Sequence, residues 1–132
     1  MSYLVDTNVL SELLRKAPNP GVEAWAGQVG RIYLSIVTLE EICFGLGWKP
    51  NPRVLVRFEK IIEEHCDVLP ATEAIARRSG ALRGHLRALG KPRSQADMLI
   101  AATAAIRGLT IVTRNLSDFE ACGISVPNPF SS

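Results

Sequence analysis

The chain has 132 residues, a hydrophobic fraction of 47% and a net charge of +2; this length fits one core and a single domain over residues 1–132. No apolar run approaches the roughly 18 residues that cross a bilayer, so no membrane span is expected. Three cysteines, Cys43, Cys66 and Cys122, are an odd number without a C-x-x-C pair, which argues against a disulfide framework or zinc knuckle. They are expected as reduced core residues.

Tyr3-Leu4-Val5 is a β-prone run, and Asp6-Thr7-Asn8 is a cluster of helix-capping residues, so a strand hands over directly to a helix. In that helix Val9, Leu10, Leu13 and Leu14 share one face, with Ser11, Glu12 and Arg15 elsewhere, and Pro18 with Pro20 stops it. A second helix is expected from about Gly21 to Val29. Ile32–Ser35 reads as a strand, followed by a helix from about Val37 to Leu46 that ends among Gly45, Gly47, Pro50 and Pro52.

Arg53–His65 has amphipathic helical spacing, with apolar Val54, Leu55, Phe58, Ile61 and Ile62, and Cys66–Leu69 reads as a third strand. Thr72–Leu89 is a long amphipathic helix. Charge is uneven here: residues 74–132 hold eight Lys/Arg against three Asp/Glu, while residues 1–73 hold seven against ten. Arg77, Arg78, Arg83, Arg87, Lys91 and Arg93 occur with no acid between Ala74 and Ala96. This stretch is a candidate RNA-phosphate track, and a solvated helix face is the plainer alternative.

Gln95–Arg107 is apolar around nearly its whole circumference, which predicts a central buried helix ended by Gly108. Thr110-Ile111-Val112 is a short buried strand, Asn115 to about Ala121 offers a last helical turn or two, and Ile124-Ser125-Val126 is a candidate edge strand. Strands alternating with helices predict an α/β fold with a parallel sheet of four to five strands and helices on both faces. Ligands of such sheets bind at the carboxyl ends of the strands.

Four acids fall at or near those corners. Asp6 follows the first strand, Glu41 lies six residues after Ser35, Asp97 opens the buried helix, and Asp118 lies six residues after Val112. Each has a capping alternative, through Asp6 itself and through the patterns Thr38-x-x-Glu41, Ser94-x-x-Asp97 and Asn115-x-x-Asp118. Capping alone does not place all four on one edge of one sheet. Converging carboxylates repel, and a hard divalent cation such as Mg²⁺ or Mn²⁺ relieves that repulsion. His65 and His85 lie away from the acid corners, so zinc is not indicated. Thr7 and Asn8 are placed to orient Asp6 or a water; Thr113 and Asn115 bring a hydroxyl and an amide beside Asp118, or serve the turn.

The stretches Val5–Leu13, Ser35–Ile42, Asp97–Ala102 and Thr113–Phe119, in this order and spacing, resemble the PIN-domain ribonucleases, and more narrowly the VapC-type toxins of type II toxin–antitoxin pairs. The resemblance implies a three-layer α/β/α sandwich, RNA cleavage dependent on Mg²⁺ or Mn²⁺, a homodimer, and a cognate VapB-type antitoxin that blocks the site. By matching position, Asp6, Glu41, Asp97 and Asp118 correspond to the family's acidic quartet, and Thr113 and Asn115 to its polar accessory positions. The spacing from Thr38 favours Glu41 over Glu40.

The function expected is therefore a cytoplasmic endoribonuclease. Asp6 and Asp97 are its expected principal metal ligands, Glu41 a ligand or water orienter, and Asp118 a second-metal or water-mediated ligand. Trp48 and the leucine face Leu10, Leu13 and Leu14 are candidate antitoxin contacts, with core packing the alternative for the leucines. Two other functions compete. A catalytically silent RNA- or protein-binding module of the same fold need not bind metal. A phosphatase with an aspartyl nucleophile requires D-x-D, and here Asn8 occupies the second acidic position.

Overall fold

The computed structural model describes residues 2–122 and 128–130. Its four strands, β1 (Tyr3–Val5), β2 (Ile32–Ser35), β3 (Cys66–Leu69) and β4 (Thr110–Val112), form one parallel sheet in the order β3-β2-β1-β4. The helices are α1 (Thr7–Leu13), α2 (Pro20–Gln28), α3 (Ile36–Trp48), α4 (Pro52–His65), α5 (Glu73–Ala88), α6 (Gln95–Arg107) and α7 (Leu116–Phe119), with a 3₁₀ turn at Glu120–Cys122. The candidate strand Ile124–Val126 lies outside the described residues.

Side chains alternate across the sheet, and the two faces take different helices. Val5, Leu34 and Val112 join a core with Val9, Leu10, Leu13, Leu14 and Phe58 from α1, its C-terminal turn and α4. Leu4 and Ile111 join the opposite core with Leu86 of α5, Met98, Ile100, Ala101 and Ala104 of α6, and Phe119 of α7. The α/β/α layering follows. The first-helix leucines are thus core, and not a surface for a partner: Leu10, Leu13 and Leu14 are all buried. Among the described residues no helix is long and apolar enough to cross a membrane.

The strands β2, β3 and β4 and the helix α6 have the bounds expected from sequence. Gly108 ends α6 in the left-handed conformation, φ +66°, which a residue without Cβ adopts at no steric cost. The third helix departs from expectation by starting at Ile36 and running through Gly45 and Gly47 to Trp48. Ser35 starts it by accepting from the Val37 N–H, so Thr38 is no cap.

Glu12 is buried rather than on an open face. Its carboxylate accepts from the Asn19 N–H at 2.9 Å and pairs with Arg15 at 3.2 Å, fixing the turn that follows α1. The cysteines are free but not uniformly core: Cys66 is buried in one core, Cys122 is half-buried against the other, and Cys43 is exposed on α3. Burial pushes the Cys66 thiol up to about 11.

Candidate functional site

All four strands are parallel, so their carboxyl ends share one edge, where the chain turns into Asp6 after β1, into α3 after β2 and into Thr113 after β4. Asp6 is 4% exposed and caps α1. Three donors hold its carboxylate: the Thr7 N–H at 2.8 Å on Oδ1, and on Oδ2 the Thr113 hydroxyl at 2.7 Å and Asn8 Nδ2 at 3.1 Å.

The hydroxyl of Thr113 is fully used. Its oxygen accepts from Asn8 Nδ2 at 3.3 Å and from the Asn115 N–H at 3.0 Å, which leaves its one proton for Asp6. Asn8 in turn accepts from the Arg114 N–H at 3.1 Å. Two loops distant in sequence are thereby locked around one carboxylate. Among the described residues no buried side-chain nitrogen or oxygen lacks a partner.

On the other side, Thr7 Oγ1 donates to Glu41 Oε1 at 2.7 Å and lies 3.0 Å from Thr38 Oγ1. With the Thr7 proton committed to Glu41, Thr38 is the donor in the second contact. This relay selects Glu41, half-buried, over the exposed Glu40. The buried Thr38 is the site residue that sequence reasoning misread as a cap. Its signal is the spacing: a hydroxyl three residues before an acid shares a helix face with it.

Asp97 sits in the first turn of α6, where the Ser94 hydroxyl caps the helix by accepting from the Asp97 N–H at 3.0 Å. Asp118 lies in the first turn of α7, its N–H donating to the Asn115 carbonyl at 3.2 Å. The Asn115 side chain makes no capping bond and its residue is exposed; only its backbone joins the network around Thr113.

The four acids act on one another. Burial pushes Asp6 above the usual carboxylate range, the Thr113 hydroxyl and Thr7 N–H pull it back, and the charges of Glu41 and Asp118 push it further up. Asp97 is also raised, first by burial and next by the charge of Asp6; the Ser94 hydroxyl lowers it, and Asp118 and Glu41 add to the rise. Among the described residues none of the four is paired with Lys or Arg. Helix N-termini at Asp6 and Asp97 offset only part of this negative charge.

The donor chemistry fits a hard divalent cation: carboxylates and hydroxyls, with neither histidine nor cysteine among them. Among the described residues no three or more acidic, histidine or cysteine side chains are gathered closely enough to hold a metal ion between them. That is compatible with Mg²⁺, which keeps several waters and takes only one or two carboxylates directly. His65 and His85 are exposed on α4 and α5, away from the acids.

The basic stretch is less uniform than its sequence. Arg77 pairs with Glu73 at 2.9 Å, and Arg93 donates to the carbonyls of Lys91, Pro92, Ser117 and Asp118, tying the α5–α6 loop to α7. Arg93 is therefore a structural strap. Arg78, Arg83, Arg87 and Lys91 are exposed.

Residues 3–122 match the PIN domain. The chain is 37% identical to the VapC ribonuclease Y4jK of Sinorhizobium fredii, with 96% of each chain covered. It is 32% identical to the tRNA(fMet)-specific endonuclease VapC of Shigella flexneri, with 93% of each covered. The DNA-bound VapBC complex from Salmonella typhimurium contains a chain of like fold, with TM-score 0.86, 29% identity, and 97% of this chain and 98% of that chain covered. Such likeness spans nearly the whole chain and includes the sheet edge that gathers the acids. Membership of this family carries dependence on a divalent metal, which the donor set described above suits. This chain belongs to the PIN-domain family of nucleases.

Proposed function

We propose that this chain is the toxin of a toxin–antitoxin pair, an endoribonuclease that hydrolyses RNA phosphodiester bonds with Mg²⁺ or Mn²⁺ held by Asp6, Glu41, Asp97 and Asp118. The observation that carries the reading is that Thr7 bonds both the Asp6 and the Glu41 carboxylates at the sheet edge, where the charges of Glu41 and Asp118 bear on Asp6 and those of Asp6, Asp118 and Glu41 on Asp97, with no Lys or Arg paired to them among the described residues. The names of the relatives, a VapC ribonuclease and a tRNA-specific endonuclease, support the same activity.

Bound there, the metal would make a water more acidic and neutralise charge developing on the phosphate. The chain's residues supply position. Thr113, Asn8 and the Thr7 N–H fix the Asp6 carboxylate, leaving it little rotational freedom. Thr38 and Thr7 aim Glu41. The Ser94 cap and the α6 N-terminus hold Asp97 at the edge. None of these groups needs to form a covalent intermediate with RNA, which separates the reading from an aspartyl-nucleophile phosphatase.

An antitoxin of the VapB type is the partner that this reading requires, since similar solved structures include the DNA-bound VapBC of Salmonella typhimurium and a toxin–antitoxin complex from Klebsiella pneumoniae. A homodimer and a cytoplasmic setting belong to the same proposal. The test is cleavage of purified RNA with added Mg²⁺ or Mn²⁺: the wild-type chain cuts, and Asp97→Asn loses at least about a hundredfold in rate, as removal of one electrostatic stabiliser does. Full activity in Asp97→Asn overturns the assignment.

A further inference from the structure

The most exposed aromatic cluster among the described residues lies on the helix that carries Glu41. Phe44 is 66% exposed and Trp48 is 69% exposed. Their rings stack at 6.5 Å between centroids and 28° between planes, and Lys49 Nζ stands 4.5 Å from the Trp48 centroid. Large aromatic rings left in water lose the burial that normally offsets their cost, so a stacked exposed pair marks a contact surface.

Its position relates it to the acids. Trp48 follows Glu41 by seven residues, which on an α-helix is about 20° short of two turns and about 10 Å along the axis. Glu41 and Trp48 therefore lie on one stripe of α3, with Phe44 beside it. From Thr7 and Glu41 a cleft of about 410 Å³ runs between α1, α3 and α4, past Gly45, to Arg15 and Arg53. Arg15 is paired with Glu12 and Arg53 donates to the Leu14 carbonyl at 3.4 Å, yet both are exposed.

Gly45 is informative because nothing in its own packing requires glycine. It is inside a helix, where glycine costs about 0.5–1 kcal/mol relative to alanine, and a Cβ there would meet nothing within 4 Å. Its missing side chain leaves open the wall of the cleft beside Glu41, one helical turn from Trp48 on the same side of α3.

We infer that Phe44, Trp48 and Lys49 form a stacking platform for an unpaired base of the RNA flanking the scissile phosphate, placed on the α3 stripe that carries Glu41 and at the rim of the cleft. The inference rests on the ribonuclease reading of the acid site. Unpaired bases stack on aromatic faces, and neighbouring cations hold the phosphates; Lys49, Arg15 and Arg53 supply that charge beside an otherwise acidic site. A carboxylate cluster alone repels RNA, so gripping the strand requires cations and stacking surface close by.

The chain has two tryptophans, and Trp25 packs edge-on against Tyr3, so Trp25→Phe makes Trp48 the sole reporter. In the Asp97→Asn background, single-stranded RNA should quench Trp48 fluorescence, and an abasic oligonucleotide should not. Trp48→Ala should weaken RNA binding about tenfold to a hundredfold, the range of one base–aromatic stack, with Trp48→Phe recovering most of it. In the active protein the loss should appear mainly in KM. Gly45→Leu, whose Cβ meets nothing within 4 Å and whose side chain extends into the cleft, should weaken RNA binding while leaving the melting temperature undiminished.

A wild-type chain that cuts RNA, alongside an unchanged KM in Trp48→Ala and no quenching of Trp48 in the Trp25→Phe protein, overturns the platform and leaves the ribonuclease reading intact. So does a Trp48→Ala variant that binds RNA normally but loses its antitoxin or its partner copy, which would make the cluster a protein interface. Quenching by RNA in a chain that never cuts supports the platform and removes the catalytic reading instead.

Discussion

The hydroxyl of Thr113 donates to the buried carboxylate of Asp6 at 2.7 Å, joining residues 107 positions apart. It ties β4 to β1 at the point where both strands end, and it fixes the carboxylate around which the other acids gather.

Thr113→Val keeps the shape and removes the donor. Because Asp6 is nearly fully buried, losing one of its three partners should cost about 1–3 kcal/mol of stability, read by urea denaturation. Cleavage should fall as well, since the carboxylate gains freedom. Thr113→Ser should restore both, and a stable, fully active Thr113→Val would show the bond to be incidental.

Asp97→Asn should do two opposite things. It should abolish cleavage, and it should raise the melting temperature of the metal-free protein, because a carboxylate already disfavoured by burial and by Asp6 is replaced by a neutral amide. Calorimetry in the presence of a chelator checks the second effect. A lower melting temperature would mean that Asp97 is held by favourable contacts rather than strained by its neighbours.

Divalent metal should stabilise the wild-type fold by linkage, by about 2.7 kcal/mol when the free ion is at a hundred times its dissociation constant. Thermal melts with Mn²⁺ or Mg²⁺ should shift upward and return on chelation. Asp6→Asn and Asp97→Asn should lose most of that shift. An equal shift in both variants would place the ion elsewhere.

The ion pair of Arg31 with Asp67, 3.0 Å apart, ties the start of β2 to β3. The Arg31 guanidinium holds Asp67 below the usual carboxylate range, so the pair contributes stability above the ordinary pKa of 3.8 and loses it as pH falls through the lower folded value. Both groups are exposed, which keeps the contribution small. Asp67→Asn should be slightly less stable than wild type at pH 7, and the gap should close in strong acid; a gap independent of pH would assign the effect to something other than charge.

Much of the architecture was legible in the sequence because local signals agree with the tertiary fold. Pro70, Gly108 and the β-branched runs punctuate β3, α6 and β4 unambiguously. Failures came where packing overrode local rules. Gly45 and Gly47 read as a helix end, yet α3 runs through both to Trp48. Helical spacing puts Glu12 off the apolar face of α1, yet it is buried, its carboxylate accepting from the Asn19 N–H.

The acid corners were visible one by one, and the parallel order of the strands explains their approach to one edge. What spacing could not supply was the hydroxyl relay from Thr38 through Thr7 to Glu41, which needs α1 and α3 side by side. Nor could it separate Arg93, bound to backbone carbonyls, from the exposed Arg78, Arg83 and Arg87 of α5.

The strand order also governs when the protein becomes dangerous. Asp6 is made 107 residues before Thr113, which arrives with β4, the strand that pairs with β1. A nascent chain halted before Asp97 carries only half of the acids and lacks the strand that locks Asp6. The Asp6 corner is therefore completed only once β4 has docked beside β1, whatever the earlier elements have already formed.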